Sequence, residues 1–233
     1  MDRIHRCACC AGGLFLAAIA AGAAFGEDCP NLDLAPLSAL LIPPPANDSK
    51  ETLAELAELQ DLDALRTAAQ AERAHLDHDR TVERFLDGIG IKLNDHATIA
   101  VQFFRCVADS TKQAVDKAKL TFNRVRPYKF PNNGLHILEK ATDQDNPSYP
   151  SEHAAYGMAT GLLLAEMLPE KRADIIRRIE DYGYSRMLAG RHFRSDVYAG
   201  EIAGAAVYAA YVEAFRDRFA QAKDNLRKAL GYP

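Results

Sequence analysis

The amino-acid sequence predicts an all-α protein folded as a single-domain helical bundle. Apolar residues recur at spacings of three and four through most of the chain after residue 47, which is the period of an amphipathic helix. No segment shows the two-residue alternation of a half-buried strand, and no internal repeat occurs. The 233 residues, 48% hydrophobic content and net charge of -4 suit one globular domain with a sizeable core. Neither a nucleic-acid polymer as partner nor a disordered tail is indicated.

The N-terminus has the pattern of a secretory signal peptide. Arg3 and Arg6 precede the apolar stretch from Ala11 to Phe25, and Ala24-Phe25-Gly26 has the pattern of a small-residue cleavage site. A membrane anchor needs about 20 apolar residues, and this stretch is shorter. We therefore predict a cleaved Sec-type signal peptide over residues 1–26, a single all-α domain over residues 27–233, and a periplasmic or secreted location.

Two cysteines, Cys29 and Cys106, remain after that cleavage. In an oxidising compartment two such cysteines either pair as a disulfide or stay as two inert thiols. The sequence leaves both states open, because it does not encode the distance between them.

The remaining elements follow in chain order. Residues 29–47 are rich in Pro and Leu and lack periodicity, which predicts an extended segment lying against the core. Asp48 and Glu51 fit a capping box before leucines that continue to Leu76, which is typical of one or two amphipathic helices. Further helices are predicted over 80–86, 94–121, 153–168, 170–188, 193–215 and 219–230, with a turn-rich loop over 130–149.

Two of these helical segments are rich in small residues and resemble membrane helices in composition. They cover residues 154–168 and 197–212, and Glu166 or Glu201 interrupts each of them. Both are too short to span a bilayer. We predict that they are buried core helices and that the mature chain has no membrane span.

Ten residues in the C-terminal half stand at spacings that together predict a binding site for one phosphate group. Three basic residues and two histidines that share one pocket need an anionic partner, and a tetrahedral oxyanion fits them best. Pro127 disfavours helical geometry for the residue before it, so we expect Lys119 to end a helix and Arg126 to begin a loop. The ten residues are Lys119, Arg126, Pro127, Pro150, Ser151, His153, Ser185, Arg186, His192 and Asp196.

Local spacing assigns chemistry to parts of this set. Ser151 stands just before an apolar run and is a candidate N-cap, so free backbone N–H groups of that helix would face an anion. His192 and Asp196 are predicted at positions i and i+4 of a new helix. That spacing lets the carboxylate hold one imidazole nitrogen, which leaves a lone pair on the other nitrogen for attack on phosphorus.

The combined pattern resembles the type 2 phosphatidic acid phosphatase superfamily, which also includes the vanadium haloperoxidases. It consists of Lys, six residues, Arg-Pro; then Pro-Ser-x-His; then Ser-Arg, five residues, His, three residues, Asp. Within the superfamily the chain is similar to the bacterial class A non-specific acid phosphatases, because of the leader, Leu41–Pro45, Ser148–Ser151 and Ser195–Val197. The resemblance covers nearly the whole predicted mature chain and implies the helical bundle of this superfamily.

The resemblance implies a role for each site residue. His192 would be the nucleophile that forms a phosphohistidine, Asp196 would orient it, and His153 would protonate the leaving alcohol. Such a site needs no metal or other cofactor, because side-chain cations neutralise the charge on the phosphoryl oxygens. Acid conditions would favour it, since the general acid must be protonated. The phosphoryl oxygens would be held by Lys119, Arg126, Ser151, Glu152 and Arg186.

Glu152 stands where the superfamily usually has Gly. The family role of that Gly is to offer a backbone N–H to phosphate, which any residue except Pro can supply. A carboxylate beside a dianionic substrate repels it unless the side chain turns away or pairs with a cation. We expect activity to persist with an altered substrate preference or pH profile. Ala154 and Phe193 also depart from the pattern, and neither removes a catalytic group.

The predicted function is therefore a secreted, metal-independent acid phosphatase that acts on small phosphomonoesters. Inorganic phosphate would be the product and vanadate an inhibitor; phosphotransfer to alcohols and a homodimer are further options that the resemblance implies. A vanadate-dependent haloperoxidase is an alternative, because the same residues would hold vanadate with His192 as its ligand. A phosphate-binding protein that lost catalysis through Glu152 is another.

Overall fold

A computed structural model of the chain describes residues 29, 31–142 and 145–233. The predicted signal peptide over residues 1–26 lies outside the described residues. All regular secondary structure in the described ranges is helical, which confirms the predicted all-α fold class.

The described residues form nine α-helices and two short 3-10 turns. The 3-10 turns cover Pro127–Lys129 and Pro169–Lys171. The α-helices are α1 (Leu37–Leu40), α2 (Lys50–Leu65), α3 (Ala68–Leu76), α4 (Val82–Asp87), α5 (Thr98–Phe122), α6 (Glu152–Met167), α7 (Arg172–Leu188), α8 (Arg194–Ala214) and α9 (Arg216–Leu230).

The leucine-rich N-terminal pattern forms two helices, each with its own cap. Ser49 has extended backbone angles directly before α2, and its hydroxyl accepts a hydrogen bond from the N–H of Thr52 at 3.1 Å. The predicted capping box of Asp48 and Glu51 is therefore wrong. The N-cap lies one residue later, at Ser49, because Ser49 is the residue with non-helical backbone angles directly before the helix. Thr67 opens α3 with a complete capping box and so divides the pattern in two.

Helix α6 lies at the centre of the bundle and packs against α8, α7 and α5. Two glycines of α8 allow the closest of these approaches. A Cβ atom at Gly200 would lie 2.3 Å from the carbonyl oxygen of Ser151, and one at Gly204 would lie 2.2 Å from that of Ala155. The second and third turns of α8 are therefore held against the N-terminus of α6, which is where the candidate site is built.

The segment before α2 packs against the bundle as predicted. Leu37 and Leu41 are buried in one apolar cluster with Val115 of α5. A disulfide joins Cys29 to Cys106, so the structure selects the paired state of the two left open by the sequence. The predicted extended segment differs in one respect, since one helical turn, α1, interrupts it.

The two segments with membrane-like composition lie in α6 and α8. Most side chains of α6 are buried among neighbouring helices, and α8 buries the face that carries Ala199, Ala203 and Val207. No helix in the described ranges has both the length and the apolar composition needed to cross a membrane.

Candidate active site

The predicted site residues lie where four helices bring their ends together. Lys119 is in the last turn of α5, and Arg126 follows the helix in extended conformation, as Pro127 predicts. Ser151 caps the N-terminus of α6. The other site residues lie in the first turn of α6, the last turn of α7, the turn before α8 and the first turn of α8; they are Glu152, His153, Arg186, His192 and Asp196.

His192 is buried in the turn between α7 and α8. Gly190 adopts a φ of +68°, a left-handed conformation that favours glycine, and the chain reverses there. Helix α8 begins at Arg194, so the prediction that His192 lies on the same helix as Asp196 is wrong. The local reason is that Asp196 bonds back to the N–H of Phe193, which fixes the start of the helix after His192.

The two ring nitrogens of His192 have different surroundings. Nε2 lies 3.2 Å from Nη1 of Arg126, and a guanidinium only donates hydrogen bonds, so Nε2 is assigned the lone pair. Nδ1 then carries the hydrogen and lies 3.6 Å from Oδ2 of Asp196. That separation exceeds a hydrogen bond, and Nδ1 has no other partner among the described side chains and backbone. The ring thus presents a nucleophilic nitrogen to the side where the cations lie.

Asp196 is fully buried and fixed by several donors. Its Oδ1 accepts from Nη1 of Arg124 at 2.7 Å. Its Oδ2 accepts from the N–H of Phe193 at 2.9 Å and from the hydroxyl of Ser148. These donors fix the orientation of the carboxylate, and its Oδ2 faces the Nδ1 side of His192.

Arg124 is a buried residue of this site that sequence reasoning missed. Besides Asp196, it donates to the hydroxyl of Ser195 at 2.6 Å and to Oε2 of Glu55 at 2.7 Å. Its guanidinium carbon lies 4.2 Å from the ring centroid of Phe193. The available signal was the first arginine of the Arg-Val-Arg-Pro sequence, whose partners lie far away in the chain.

Backbone carbonyls of the segment before Ser151 hold two of the predicted cations. Nζ of Lys119 donates to the carbonyl of Pro147 at 2.6 Å and to that of Ser148 at 3.3 Å. Arg126 donates from Nε to the carbonyl of Asn146 at 2.8 Å and from Nη2 to the side-chain oxygen of the same residue at 2.7 Å. Both cations are thereby fixed beside His192.

Burial changes the proton affinities of the groups at this site. Lys119 is 1% exposed, and its burial, together with the charge of Arg126, lowers its pKa to about 7. Burial, then Arg126 and Lys119, lowers the pKa of His192 well below its usual value. His192 is therefore neutral under mildly acidic conditions, which is the state that a nucleophile requires.

The N-terminus of α6 has the geometry that the sequence predicts. The hydroxyl of Ser151 accepts from the N–H of Ala154 at 3.3 Å, and the Ser151 N–H donates to the carbonyl of Asp196 at 2.9 Å. The Tyr149–Pro150 peptide bond is cis. The hydroxyl of Ser185, by contrast, donates within α7 to the carbonyl of Tyr182 at 2.7 Å and not toward the site.

The side chain of Glu152 forms a salt bridge with Arg80. Its carboxylate charge is therefore partly neutralised within the protein, and its backbone N–H remains at the start of α6. A carboxylate that pairs with a cation in this way repels a dianionic substrate less.

His153 lies beside an open cavity. Its Nε2 is 2.9 Å from the carbonyl of His78, and since a carbonyl only accepts, Nε2 carries a hydrogen. A cavity of about 510 Å³ opens next to the ring, with Arg105 and Lys112 among its walls. Burial, then the charges of Arg186 and Arg80, lowers the pKa of His153 well below its usual value.

Two carboxylates from the loop over 130–149 also reach the site. Arg186, which is 2% exposed, donates from Nη1 to Oε1 of Glu139 at 2.8 Å and from Nη2 to Oε2 at 2.6 Å. Arg191 donates from Nη2 to Asp145 at 2.9 Å, and its Nε lies 3.6 Å from Glu139. Nε of Arg186 and Nη1 of Arg191 are buried without a partner in the described residues. Sequence reasoning missed Glu139, Asp145 and Arg191.

The arrangement is a cluster of buried positive charges around a neutral imidazole. It suits a tetrahedral dianion, because Lys and Arg donors converge from three elements and His192 offers a nucleophilic nitrogen. Within the described ranges, no group of three or more His, Cys, Asp or Glu residues is arranged to hold a metal ion.

The sequence is similar to those of known proteins. A family profile described as "PAP2 superfamily" matches residues 97–220, which include all eight predicted site residues. A protein named non-specific acid phosphatase from Providencia stuartii is 31% identical over 202 residues, which cover 82% of this chain and 80% of that protein. One with the same name from Salmonella typhimurium is 30% identical over 195 residues, covering 80% of this chain and 78% of that protein.

A solved structure shares the fold. It is described as a transmembrane PAP2 type phosphatidylglycerolphosphate phosphatase from Bacillus subtilis. The alignment covers 78% of this chain and 91% of that one, with a TM-score of 0.51 and 18% sequence identity.

Proposed function

The chain belongs to the PAP2 superfamily and is an acid phosphatase of that superfamily, and we propose that it hydrolyses small phosphate monoesters. The reaction proceeds through a phosphohistidine intermediate on His192. The observation that carries the proposal is the position of His192. Its Nε2 faces Arg126, its Nδ1 faces Asp196, and burial keeps the ring neutral. A neutral, oriented imidazole among fixed cations is what nucleophilic attack on a phosphoryl group requires.

In the first step, the phosphoryl group binds among Lys119, Arg126 and Arg186, with backbone N–H groups at the start of α6 as further donors. Nε2 of His192 attacks phosphorus, and a P–N bond forms as the bond between phosphorus and the leaving oxygen breaks. His153 gives a proton to that oxygen, so the product leaves as a neutral alcohol. Because burial lowers the pKa of His153, this residue takes up that proton only under acid conditions. Asp196 stabilises the positive charge that develops on the nucleophilic ring.

In the second step, the now neutral His153 removes a proton from water. The oxygen of that water attacks phosphorus, the P–N bond breaks, and inorganic phosphate is released. An alcohol that enters the cavity beside His153 in place of water would receive the phosphoryl group instead. Phosphotransferase activity is therefore part of the proposal.

The proposed reaction needs no metal ion, because side chains supply the positive charge that phosphoryl transfer demands. Lys119, Arg126 and Arg186 are each buried, so their charges act in a medium that screens them weakly. The same charges predict inhibition by vanadate, which is also a tetrahedral oxyanion.

We further propose that the protein acts in the periplasm or outside the cell. The support is the signal-peptide pattern of residues 1–26 together with the bond between Cys29 and Cys106. Disulfides form and persist in oxidising compartments.

The proposal is tested with protein that has been treated with a chelator. It should hydrolyse an aryl phosphate at acid pH, vanadate should inhibit it, and His192→Ala should abolish turnover while the variant stays folded. Full activity of His192→Ala would contradict the proposal. Halogenation on addition of vanadate, halide and peroxide, without phosphatase activity, would favour a haloperoxidase instead.

A further inference from the structure

Glu139 is a loop residue that forms two hydrogen bonds with Arg186, one of the predicted phosphate-binding cations. Its two carboxylate oxygens accept from Nη1 and Nη2 of Arg186 at 2.8 and 2.6 Å. The side chains are 10% and 2% exposed. Two parallel charge-assisted hydrogen bonds in a buried pair fix the plane of a guanidinium as well as its position.

These two hydrogen bonds to Glu139 use only one edge of the Arg186 guanidinium. A guanidinium has five donors in one plane, and Glu139 takes the end formed by the two Nη atoms. Nε of Arg186 is buried and has no partner among the described residues. The side edge of the guanidinium is thus left open for another acceptor, and a phosphoryl oxygen is an acceptor that the site is built to hold.

The carboxylate of Glu139 lies beside the phosphate site and not in its centre. Its ion-pair contacts within the described ranges are with Arg186, with Nε of Arg191 at 3.6 Å and with Nδ1 of His78 at 3.6 Å. None of these partners is Lys119 or His192, which would contact a phosphoryl group directly.

Glu139 stays ionised at the acid pH at which the enzyme is expected to act. Burial raises its pKa, but the hydrogen bond and charge of Arg186, together with the charges of His78 and Arg191, lower the pKa below the usual value. The two hydrogen bonds between Arg186 and Glu139 therefore persist at acid pH.

We propose that Glu139 is a positioning residue: it holds Arg186 end-on so that the free Nε edge faces the phosphoryl group of the substrate. This inference rests on the proposed function, since it assumes that Arg186 binds the phosphoryl oxygens. It makes the loop over 130–149 part of the phosphate site, although the loop supplies no group that touches the substrate.

The opposite reading of the same contact is that Glu139 competes with phosphate for Arg186. The two readings predict opposite signs. A positioning residue strengthens phosphate binding, so its loss weakens affinity, whereas the loss of a competing carboxylate would strengthen it.

The test compares Glu139→Gln with Glu170→Gln, a matched control. Glu170 forms the same two-point contact with Arg227, at 2.8 and 3.1 Å, on the surface of the chain's last helix. We measure the dissociation constant of inorganic phosphate by calorimetry, and kcat and KM for an aryl phosphate. Each measurement is repeated in an Arg186→Ala background.

Glu139→Gln should raise both the phosphate dissociation constant and KM about ten-fold, because a charge-assisted hydrogen-bond pair is lost. Glu170→Gln should change neither. In the Arg186→Ala background the same Glu139 substitution should have an effect below about two-fold, since its action passes through Arg186.

Tighter phosphate binding in Glu139→Gln, an unchanged dissociation constant, or an equal effect in both backgrounds would overturn the inference. Thermal unfolding of each variant separates lost positioning from lost folding, and the double-mutant comparison holds for any pair of variants that fold. A wild-type protein that binds phosphate but hydrolyses no ester would contradict the proposed function instead, while the binding measurements would still test Glu139.

Discussion

Lys119 gives the sharpest prediction, because its charge should switch within an accessible pH range. Burial, and then the charge of Arg126, lowers its pKa from 10.5 to about 7. The cation is therefore present below pH 7 and lost above it. In the free enzyme about one Lys119 in ten is charged at pH 8, and about one in a hundred at pH 9.

A dianion binds the protonated form of Lys119, so above pH 7 the lysine must take up a proton when the dianion binds. Affinity should consequently fall up to about ten-fold for each pH unit above 7. The histidines do not mask the effect, because the pKa values of His153 and His192 are lowered well below 6.5. Sulfate is the suitable probe, since it remains a dianion across the whole range and only the protein titrates.

The assay measures the inhibition constant of sulfate against an aryl phosphate between pH 6 and pH 9. Wild-type protein should show a plateau below pH 7 and a rise above it. Lys119→Met removes the charge at every pH, so its curve should be flat and lie near the weak, alkaline value of the wild type. Lys119→Arg keeps the charge at every pH, so its curve should also be flat but lie near the tight value that the wild type shows below pH 7. Circular dichroism checks that each variant retains the wild-type fold.

Two results would refute the reasoning. The first is a wild-type inhibition constant that does not change between pH 6 and pH 9. The second is a rise of equal slope in Lys119→Met, which would show that another group titrates.

Three further predictions concern the packing and chemistry around the site. Gly204→Ala places a Cβ atom 2.2 Å from a backbone oxygen of α6 and should lower the free energy of unfolding by about 1–3 kcal/mol in urea titrations; an unchanged midpoint would contradict the close approach of the two helices. Replacing Cys29 and Cys106 by Ser opens a cross-link between positions 77 residues apart and should cost about 2–5 kcal/mol of stability, with kcat of the folded variant unchanged; a changed kcat would tie the cross-link to the site. Glu152→Gly should keep kcat within about three-fold of wild type, because the carboxylate already forms a salt bridge within the protein; activity that appears only in this variant would instead support a phosphate-binding protein.

Local rules predicted those parts of the site that depend on neighbouring residues. Pro127 sets the conformation of Arg126, and a Ser before an apolar run caps a helix, so both features followed from short stretches of sequence. Helix starts were harder where two local structures compete. The side chain of Asn94 accepts from the N–H of His96 at 3.0 Å and forms a turn, and α5 therefore begins at Thr98 and not at Asn94.

Distant partners could not be predicted in the same way. Arg124 and Asp196 are 72 residues apart, and Glu139 and Arg186 are 47 apart. Which carboxylate pairs with which guanidinium depends on how the helices pack, and no spacing along the chain encodes it. The Arg80 partner of Glu152 is a further case. The spacing argument identified His192 and Asp196, but their 3.6 Å separation and the buried donors around the carboxylate came from the structure.

The proposed mechanism requires that a nitrogen of His192 carries the phosphoryl group between the two steps. Rapid mixing with a phosphate monoester labelled with ³²P, followed by an alkaline quench that preserves phosphohistidine, measures this directly. The account predicts a transient label on a peptide that contains His192, formed and lost at rates compatible with turnover, and no label in a folded His192→Ala variant. Turnover at the normal rate without a labelled histidine, or with the label on another residue, would contradict it.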